Sequence, residues 1–311
     1  MLLALTALTA TLAGGGAMAA EPADGDAYRV DTLIDGVHVF RPVQPSIART
    51  NSLVVEQDDG LLVVEAQPSI EAATELLAAI ARFRSAPVRY LVLSHPHAES
   101  AGGASAFPEE TLVIGSAGCH LEMAEGKNFG AEMRETSDSP DSWIEPPKRL
   151  PRLVVRSMTT LEDSRNPVDL RPMQHGHSRG DLIVLVRGAE VVYAGALLFP
   201  ENNPYIRDGS VRGWIGVLNY FASERHQRLI PLRGPELGHM QVRRLRDSIN
   251  WLRGQVALGF LERKTHEEIP RWVLENEELS EHFATRDLFL EQLLDRILFD
   301  LVQERRKRDP K

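Results

Sequence analysis

The chain has 311 residues and a formal net charge of −9 at pH 7, from 35 Lys and Arg against 44 Asp and Glu. A chain of this length can bury a hydrophobic core unaided, and 43% hydrophobic with 25% charged residues is typical of a globular protein. The acidic balance and the lack of a basic stripe argue against nucleic acid as a partner. The single cysteine, Cys119, excludes a disulfide framework and any multi-cysteine zinc site, so a bound metal would need His and carboxylate ligands.

The first 20 residues have the pattern of a secretory signal peptide. An apolar run over 1–13, too short to span a bilayer comfortably, precedes three glycines and the small-residue pattern Ala17-Met18-Ala19. We expect cleavage near Ala19 or Ala20 and a mature protein that is periplasmic or secreted. No Lys or Arg precedes the apolar run, so a disordered or packed apolar tail is the alternative. No other stretch is long and apolar enough for a membrane helix.

The first half of the mature chain predicts strands followed by a helix and a buried strand. Apolar and polar residues alternate over 28–41 and 52–65, which predicts antiparallel strands, with a hairpin turn at 57–60. Apolar residues at helical spacing predict an amphipathic helix over 69–83. The short apolar run 88–93 predicts a strand that is buried on both faces.

The second half repeats this mixture of strands and helices. The same periodicities predict a strand at 111–114, a helix at 117–125, a surface loop at 136–149, a hairpin of strands at 182–186 and 191–194, a strand at 229–232 and a helical remainder over about 240–304. Each half therefore has a strand pair, a helix and a further strand. We predict an α/β protein in which two mixed β-sheets pack together, with helices on the outer faces.

Two histidine clusters carry the strongest chemical signal in the sequence. His95 and His97 lie one residue apart where the predicted buried strand opens into a loop, so both imidazoles can point to one place. His177 precedes the predicted hairpin and can supply a third nitrogen. Three imidazoles with an open fourth position are the arrangement in which zinc lowers the pKa of bound water to about 7. Together the clusters predict a metal site, although neither would do so alone.

The order of these motifs resembles that of the metallo-β-lactamase superfamily, the αββα metallohydrolases. The resemblance is carried by the segments 51–54, 61–65, 95–103, 177–181, 193–195, 213–215 and 230–231. It implies a four-layer αββα domain over 21–262, followed by a C-terminal helical extension over 263–311 that packs on it. It also implies that His95, His97 and His177 match the three histidines of the family's first zinc site.

The chain departs from this family where the second metal site would be. Ser100 and Arg233 stand where the family has histidine ligands, Ala196 stands where it has aspartate, and Glu65 replaces an aspartate that supports the metal loop. Glu99 is then the one oxygen donor left. Arg233 brings a fixed positive charge to the vacated position, where we expect it to pair with Glu99. We therefore predict one zinc ion per chain.

Several other residues have both a structural and a functional interpretation. His239 is either a displaced metal ligand or an exposed residue at a helix start, and His175 could support the site from outside it. Asp181 is expected to fix its own turn rather than bind metal. Cys119 is expected to be a small buried hydrophobe, and Trp214 to be a core residue before it is the wall of a substrate pocket.

Two classes of function are consistent with these residues. In the first, the protein is an exported hydrolase in which zinc-bound water attacks an ester, amide, lactone or thioester carbonyl of a small molecule. Glu99 is then the candidate base and Arg233 the candidate anchor for an anionic substrate group. In the second, the protein is non-catalytic and keeps the fold and its pocket for binding, with or without a structural metal.

Overall fold

The computed structural model describes residues 19–20, 26–44, 49–126, 129–130, 134, 147–200, 205–206, 208–223, 228–283 and 288–308. The predicted signal peptide, apart from its last two residues, and most of the predicted loop at 136–149 lie outside these ranges. Within them, no helix combines the length and the apolar character that a membrane crossing requires.

Eight strands form the first sheet, in which the spatial order is the order of the chain. They are β1 (Ala19–Ala20), β2 (Tyr28–Ile34), β3 (Val37–Pro42), β4 (Ser52–Gln57), β5 (Gly60–Val64), β6 (Val88–Val92), β7 (Leu112–Ser116) and β8 (Leu153–Val155). Pairing is antiparallel from β1 to β5 and parallel from β5 to β8. Parallel neighbours need a crossover, and α1 (Ile70–Phe83) supplies it between β5 and β6.

Five strands form the second sheet, in the order β13, β12, β11, β10, β9. Their bounds are β9 (Thr159–Leu161), β10 (Val168–Pro172), β11 (Leu182–Val186), β12 (Val191–Gly195) and β13 (Arg228–Pro231). All neighbours are antiparallel except β12 and β13, which α4 (Val211–Ser223) connects. The three strands β8, β9 and β10 were not predicted from the sequence.

The remaining helices cover the two outer faces. They are α2 (Ala98–Ala101), a 3₁₀ turn (Ala104–Ala106), α3 (Ala117–Glu125), α5 (His239–Leu261), α6 (Glu268–Leu274), α7 (Leu279–His282) and α8 (Leu288–Arg308). The helix α1 begins at the N-cap Ser69, whose side chain accepts a hydrogen bond from the Ala72 amide at 3.2 Å. It buries the face that contains Leu76 and Ile80, as its periodicity predicts.

Three apolar layers hold these elements together. The inner faces of the sheets meet in one core, to which Val55 and Val64 contribute from the first sheet and Val184 and Tyr193 from the second. A second core lies between the first sheet and α1 to α3, and a third between the second sheet and α4 to α8. The fold is therefore an αββα sandwich, which confirms the predicted fold class. The helices α6 to α8 share the third core, and a domain boundary near residue 262 stays a prediction.

Candidate metal site

The three histidines lie in two loops, one from each sheet. His95 and His97 lie between β6 and α2, and His177 lies between β10 and β11. The Leu182 amide donates to the Ser94 carbonyl at 2.7 Å, which joins the end of β6 to the start of β11. Each sheet therefore supplies donors to one site at the edge where the two sheets meet.

The loop that carries His177 also packs closely against the start of α3. A Cβ atom at Gly118 would lie 2.1 Å from the Arg179 carbonyl oxygen, and one at Gly180 would lie 2.5 Å from the Cys119 amide nitrogen. Contacts this short exclude any side chain, so two glycines are needed for the approach. The Ser116 hydroxyl donates to the Gly180 carbonyl at 2.7 Å and fixes the contact.

Donor atoms of four buried residues converge where the loops meet. Nδ1 of His97 lies 3.1 Å from Nε2 of His177, and Oε1 of Glu99 lies 3.2 Å from Nε2 of His95. The same Oε1 atom is 3.5 Å from the His97 nitrogen and 4.0 Å from the His177 nitrogen. One donor atom from each of the four residues lies within 4.8 Å of the others, and all four residues are at most 3% exposed. The sequence-predicted histidines are thus brought together, and Glu99 joins them.

The other ring nitrogen of each histidine lies within hydrogen-bond distance of an oxygen atom. Nε2 of His97 lies 3.1 Å from Oδ2 of Asp208, and Nδ1 of His177 lies 3.0 Å from the Tyr205 carbonyl. Nδ1 of His95 lies 2.9 Å from Oγ of Ser94. When the imidazoles are neutral, each can donate its outward N–H to one of these oxygens and present a lone pair to the centre. That arrangement is the one a metal requires.

A buried carboxylate supports the loop at its start. Glu65 accepts hydrogen bonds from the hydroxyls of Ser94 and Ser100, and Oγ of Ser94 is thereby free to accept from His95. Burial raises the pKa of Glu65 to about 7, although the bonds from Ser100 and Ser94 oppose the rise. Its φ of 78° is rare for a residue other than glycine and marks a position that the surrounding contacts hold in place. Ser100 therefore supports the loop.

Charge at the centre favours a cation. Burial alone would raise the pKa of Glu99, but hydrogen bonds from His95 and His97 hold it well below its usual value. Burial alone would lower the pKa of His97, but Asp208 and Glu99 raise it to about 10. Two carboxylates thus flank one imidazole and stabilise positive charge there. A metal ion can supply that charge in place of a proton.

Two further predicted residues support the site from outside. Nε2 of His175 lies 2.7 Å from the Asp208 carbonyl oxygen, so His175 holds the residue whose carboxylate contacts His97. Asp181 accepts hydrogen bonds from the amides of Gly176 and Ser178 at 3.1 and 3.0 Å. It fixes the turn around His177, as expected. Sequence analysis did not identify Asp208 or the Tyr205 carbonyl as parts of the site.

Arg233 lies on an anchored loop, close enough to His95 for their charges to interact. The Arg41 side chain donates to the Gly234 carbonyl at 3.0 Å, and Nδ2 of Asn51 donates to the same oxygen at 2.9 Å. Burial lowers the pKa of His95; Glu99 opposes this shift, and the charges of His97 and Arg233 add to it. Within the described ranges, the expected pair with Arg233 is not among the ion pairs of Glu99, because the imidazoles already surround that carboxylate.

The other candidate residues stay outside the donor set. His239 is the half-buried first residue of α5 and is not one of the four donors. Trp214 is 0% exposed and its indole N–H donates to the Leu197 carbonyl at 2.9 Å, as expected of a core residue. Cys119 is buried, and burial raises the pKa of its thiol well above the usual value. In the described part of the chain, the four donors form the one group of three or more such side chains that could hold a metal.

Sequence comparison identifies the family to which this fold and site correspond. The profile of the metallo-beta-lactamase superfamily matches residues 48–246, which include all four donors. The chain belongs to the metallo-β-lactamase superfamily. Among functionally curated proteins, none matches the sequence significantly.

Solved structures of superfamily folds resemble the chain at low sequence identity. A stereoselective inverting sec-alkylsulfatase from Pseudomonas sp. matches with a TM-score of 0.70 and 15% identity over 86% of this chain and 49% of that chain. A metallo-β-lactamase from Pontibacter korlensis matches with a TM-score of 0.58 and 16% identity over 72% of this chain and 99% of that chain. A metallo-β-lactamase from Pseudomonas aeruginosa, in its mono-zinc form, matches with a TM-score of 0.55 and 16% identity over 70% of this chain and 92% of that chain. This chain spans about half the length of the alkylsulfatase.

Asp208 offers a test of the metal site that does not depend on turnover. In this superfamily member, Asp208→Ala should lower zinc affinity about 10- to 100-fold, because outer partners orient a ligating imidazole and raise its basicity. Competition with a chromophoric chelator measures the change. Asp247→Ala, which removes an exposed carboxylate on α5, is the control and should leave affinity unchanged. Equal affinities for the two folded variants would contradict the prediction.

Proposed function

We propose that the protein is an exported hydrolase that uses one zinc ion held by His95, His97 and His177. The observation that carries the proposal is the convergence of three buried imidazole nitrogens whose partner nitrogens are all bound to oxygen. A zinc ion in such a site supplies Lewis acidity, which polarises a carbonyl and lowers the pKa of water toward neutrality.

The protein side chains supply charge and position. Glu99 is the carboxylate nearest the inward imidazole nitrogens, a position suited to a proton acceptor or a metal ligand. Arg233 stands on an anchored loop, close enough to His95 for their charges to interact, and is the candidate anchor for an anionic substrate group. We propose a small-molecule ester, amide, lactone or thioester as the substrate.

Metal analysis and hydrolysis assays together test this function. Protein purified without added zinc should contain about one zinc per chain and hydrolyse a member of the carbonyl panel. Activity should vanish on chelation and return with zinc. The panel should include a sec-alkyl sulfate, since an alkylsulfatase is similar in fold. Two tightly held ions would contradict the mononuclear proposal.

The rival function is binding without catalysis. Its support is that Ser100, Ala196 and Arg233 replace ligands of the family's second metal site, and a fold alone does not decide activity. Protein that holds zinc but turns over no member of the panel would favour this rival. If the purified protein holds no zinc, the proposed metal site also fails.

Arg233 gives a prediction about substrate charge. Arg233→Ala should weaken the binding of an inhibitor that carries a carboxylate by about 10- to 150-fold, since a charge-assisted hydrogen bond contributes about 1.5–3 kcal/mol. The same inhibitor with its carboxylate converted to an amide should bind parent and variant alike. Zinc content should not change. If the substitution weakens the binding of both inhibitors equally, Arg233 does not recognise the anion.

Export gives a second prediction. The apolar run at 1–13 and the pattern at 17–19 favour cleavage near Ala19 or Ala20. Intact mass measured on protein from the native host should therefore lack the first 19 or 20 residues, and the protein should fractionate with the periplasm or medium. A full-length mass in the cytoplasmic fraction would refute export.

A further inference from the structure

We propose that Glu99 is the fourth ligand of the zinc site, so that the protein closes the metal's coordination shell in its resting state. This rests on the proposed function for the presence of zinc, but it assigns Glu99 a different part from that of the base predicted from the sequence. Both parts place an ionised carboxylate near the metal. The distances between donor atoms distinguish them.

Three separations between the donor atoms lie near those of a zinc tetrahedron, and a fourth, from Oε1 of Glu99 to the His177 nitrogen, is longer at 4.0 Å. Ligand bonds of about 2.0–2.2 Å in tetrahedral geometry place neighbouring donors about 3.3–3.6 Å apart. Oε1 of Glu99 lies 3.2 Å from His95 and 3.5 Å from His97, while the His97 and His177 donors are 3.1 Å apart. The carboxylate oxygen is thus about as close to the His95 and His97 donors as the His97 and His177 donors are to each other. It takes a corner of the resting site, so the proposed hydrolysis requires Glu99 to leave the metal first.

The local structure explains why Glu99 reaches this corner. His97 is the N-cap of α2, and Glu99 is the second residue of that helix, four residues after His95. Where the family pattern has aspartate at this position, glutamate adds one methylene group to the side chain. Glu99 is 0% exposed, so its carboxylate cannot relax into solvent. The longer side chain therefore carries the oxygen to the first metal site.

A second observation indicates that a cation belongs beside this carboxylate. Oε2 of Glu99 is buried, and the described residues offer it no hydrogen-bond partner. An unsatisfied buried carboxylate oxygen is costly unless a positive charge lies next to it. A metal ion bound to this carboxylate would offset the cost of burying both of its oxygens. Catalytic zinc needs an open position, so a resting site with four protein ligands would become catalytic only when Glu99 is released.

Substitution of Glu99 with a matched control tests the assignment. Glu99→Gln and Glu99→Asp should each lower the affinity for zinc at least about tenfold, which is the lower range for outer partners of metal ligands. Asp is included because its shorter side chain withdraws the carboxylate while keeping its charge. Glu122→Gln is the control, since Glu122 is close enough to His97 for their charges to interact but is not a donor. It should bind zinc as the parent does.

Cobalt(II) substitution supplies a readout of the ligands themselves. The visible spectrum of the cobalt-loaded parent should not respond to added thiocyanate, because no position is open. The spectrum of Glu99→Ala should differ from the parent's and should shift with thiocyanate. Circular dichroism identifies which variants are folded, and any one of the three Glu99 variants suffices for the comparison.

The outcomes separate this inference from the proposed function. If Glu99→Gln keeps parental affinity and cobalt spectrum but loses hydrolysis, Glu99 is a base, and the inference alone is overturned. If Glu122→Gln weakens zinc as much as Glu99→Gln does, the effect is one of general charge and the ligand assignment also fails. If the parent binds neither metal, the proposed function fails first and the inference falls with it.

Discussion

Replacement of His97 by alanine is expected to remove zinc from the protein, from about one ion per chain to background. The His97 nitrogen lies 3.1 Å from the His177 donor and 3.5 Å from the Glu99 oxygen. The substitution therefore removes one of the four donor atoms. The affinity should fall by more than about 100-fold, the upper range for mere outer partners of ligands. Elemental analysis after dialysis against metal-free buffer measures the loss.

His239→Ala is the matched control for this experiment. It also removes one imidazole, but His239 begins α5 and is not among the four donors, so zinc content should stay at the parental value. Loss of zinc from His239→Ala, or two tightly held ions in the parent, would make His239 a ligand after all. Retention of zinc by folded His97→Ala would show that the imidazole nitrogens do not hold the metal.

Replacement of Trp214 by alanine should lower the free energy of unfolding by about 3–5 kcal/mol, the usual cost of truncating a large buried aromatic side chain. Trp214 is 0% exposed within the core beneath the second sheet. Its ring lies 5.8 Å from Phe199 and 6.4 Å from His177, centroid to centroid. The cavity left by truncation would lie directly behind the imidazole of His177, one of the four candidate donors.

Urea denaturation of metal-free protein measures this effect without a contribution from zinc. The control is Trp272→Ala on α6, where a half-buried indole carries a lysine ammonium over its ring. Trp272→Ala should lower the free energy of unfolding clearly less than Trp214→Ala does. A change of under about 1 kcal/mol for Trp214→Ala would contradict its place in the core, since buried large-to-small substitutions exceed that value.

The fold class followed from periodicity where the elements are long enough to show it. The strands β4 and β5 and the helix α1 are recognisable because their apolar spacing extends over five or more residues. The strands β8 and β9 have three residues each, which is too short for a period of two to be recognised. Alternation in β10 covers only Val168 to Pro172, and proline at its end argues against a strand.

The site was predictable to the extent that its residues cluster in the sequence. His95 and His97 form a local motif, and the resemblance placed His177 with them. Asp208 contacts His97 across 111 residues, and no spacing rule connects them. The position of Glu99 among the donors depends on the turn at His97 and on side-chain length, which were visible in the sequence only as a departure from the family pattern.

The origin of the donors in two different sheets has a consequence for folding. His97 and His177 are 80 residues apart in the chain, and each lies in a loop that follows a strand of a different sheet. An ion bound by both would act as a reversible cross-link between the halves of the sandwich. A covalent cross-link over such a loop restricts the unfolded chain by about 4–5 kcal/mol in a chain-entropy estimate. Metal supply in the compartment where the chain folds would then determine how firmly the two sheets are held together.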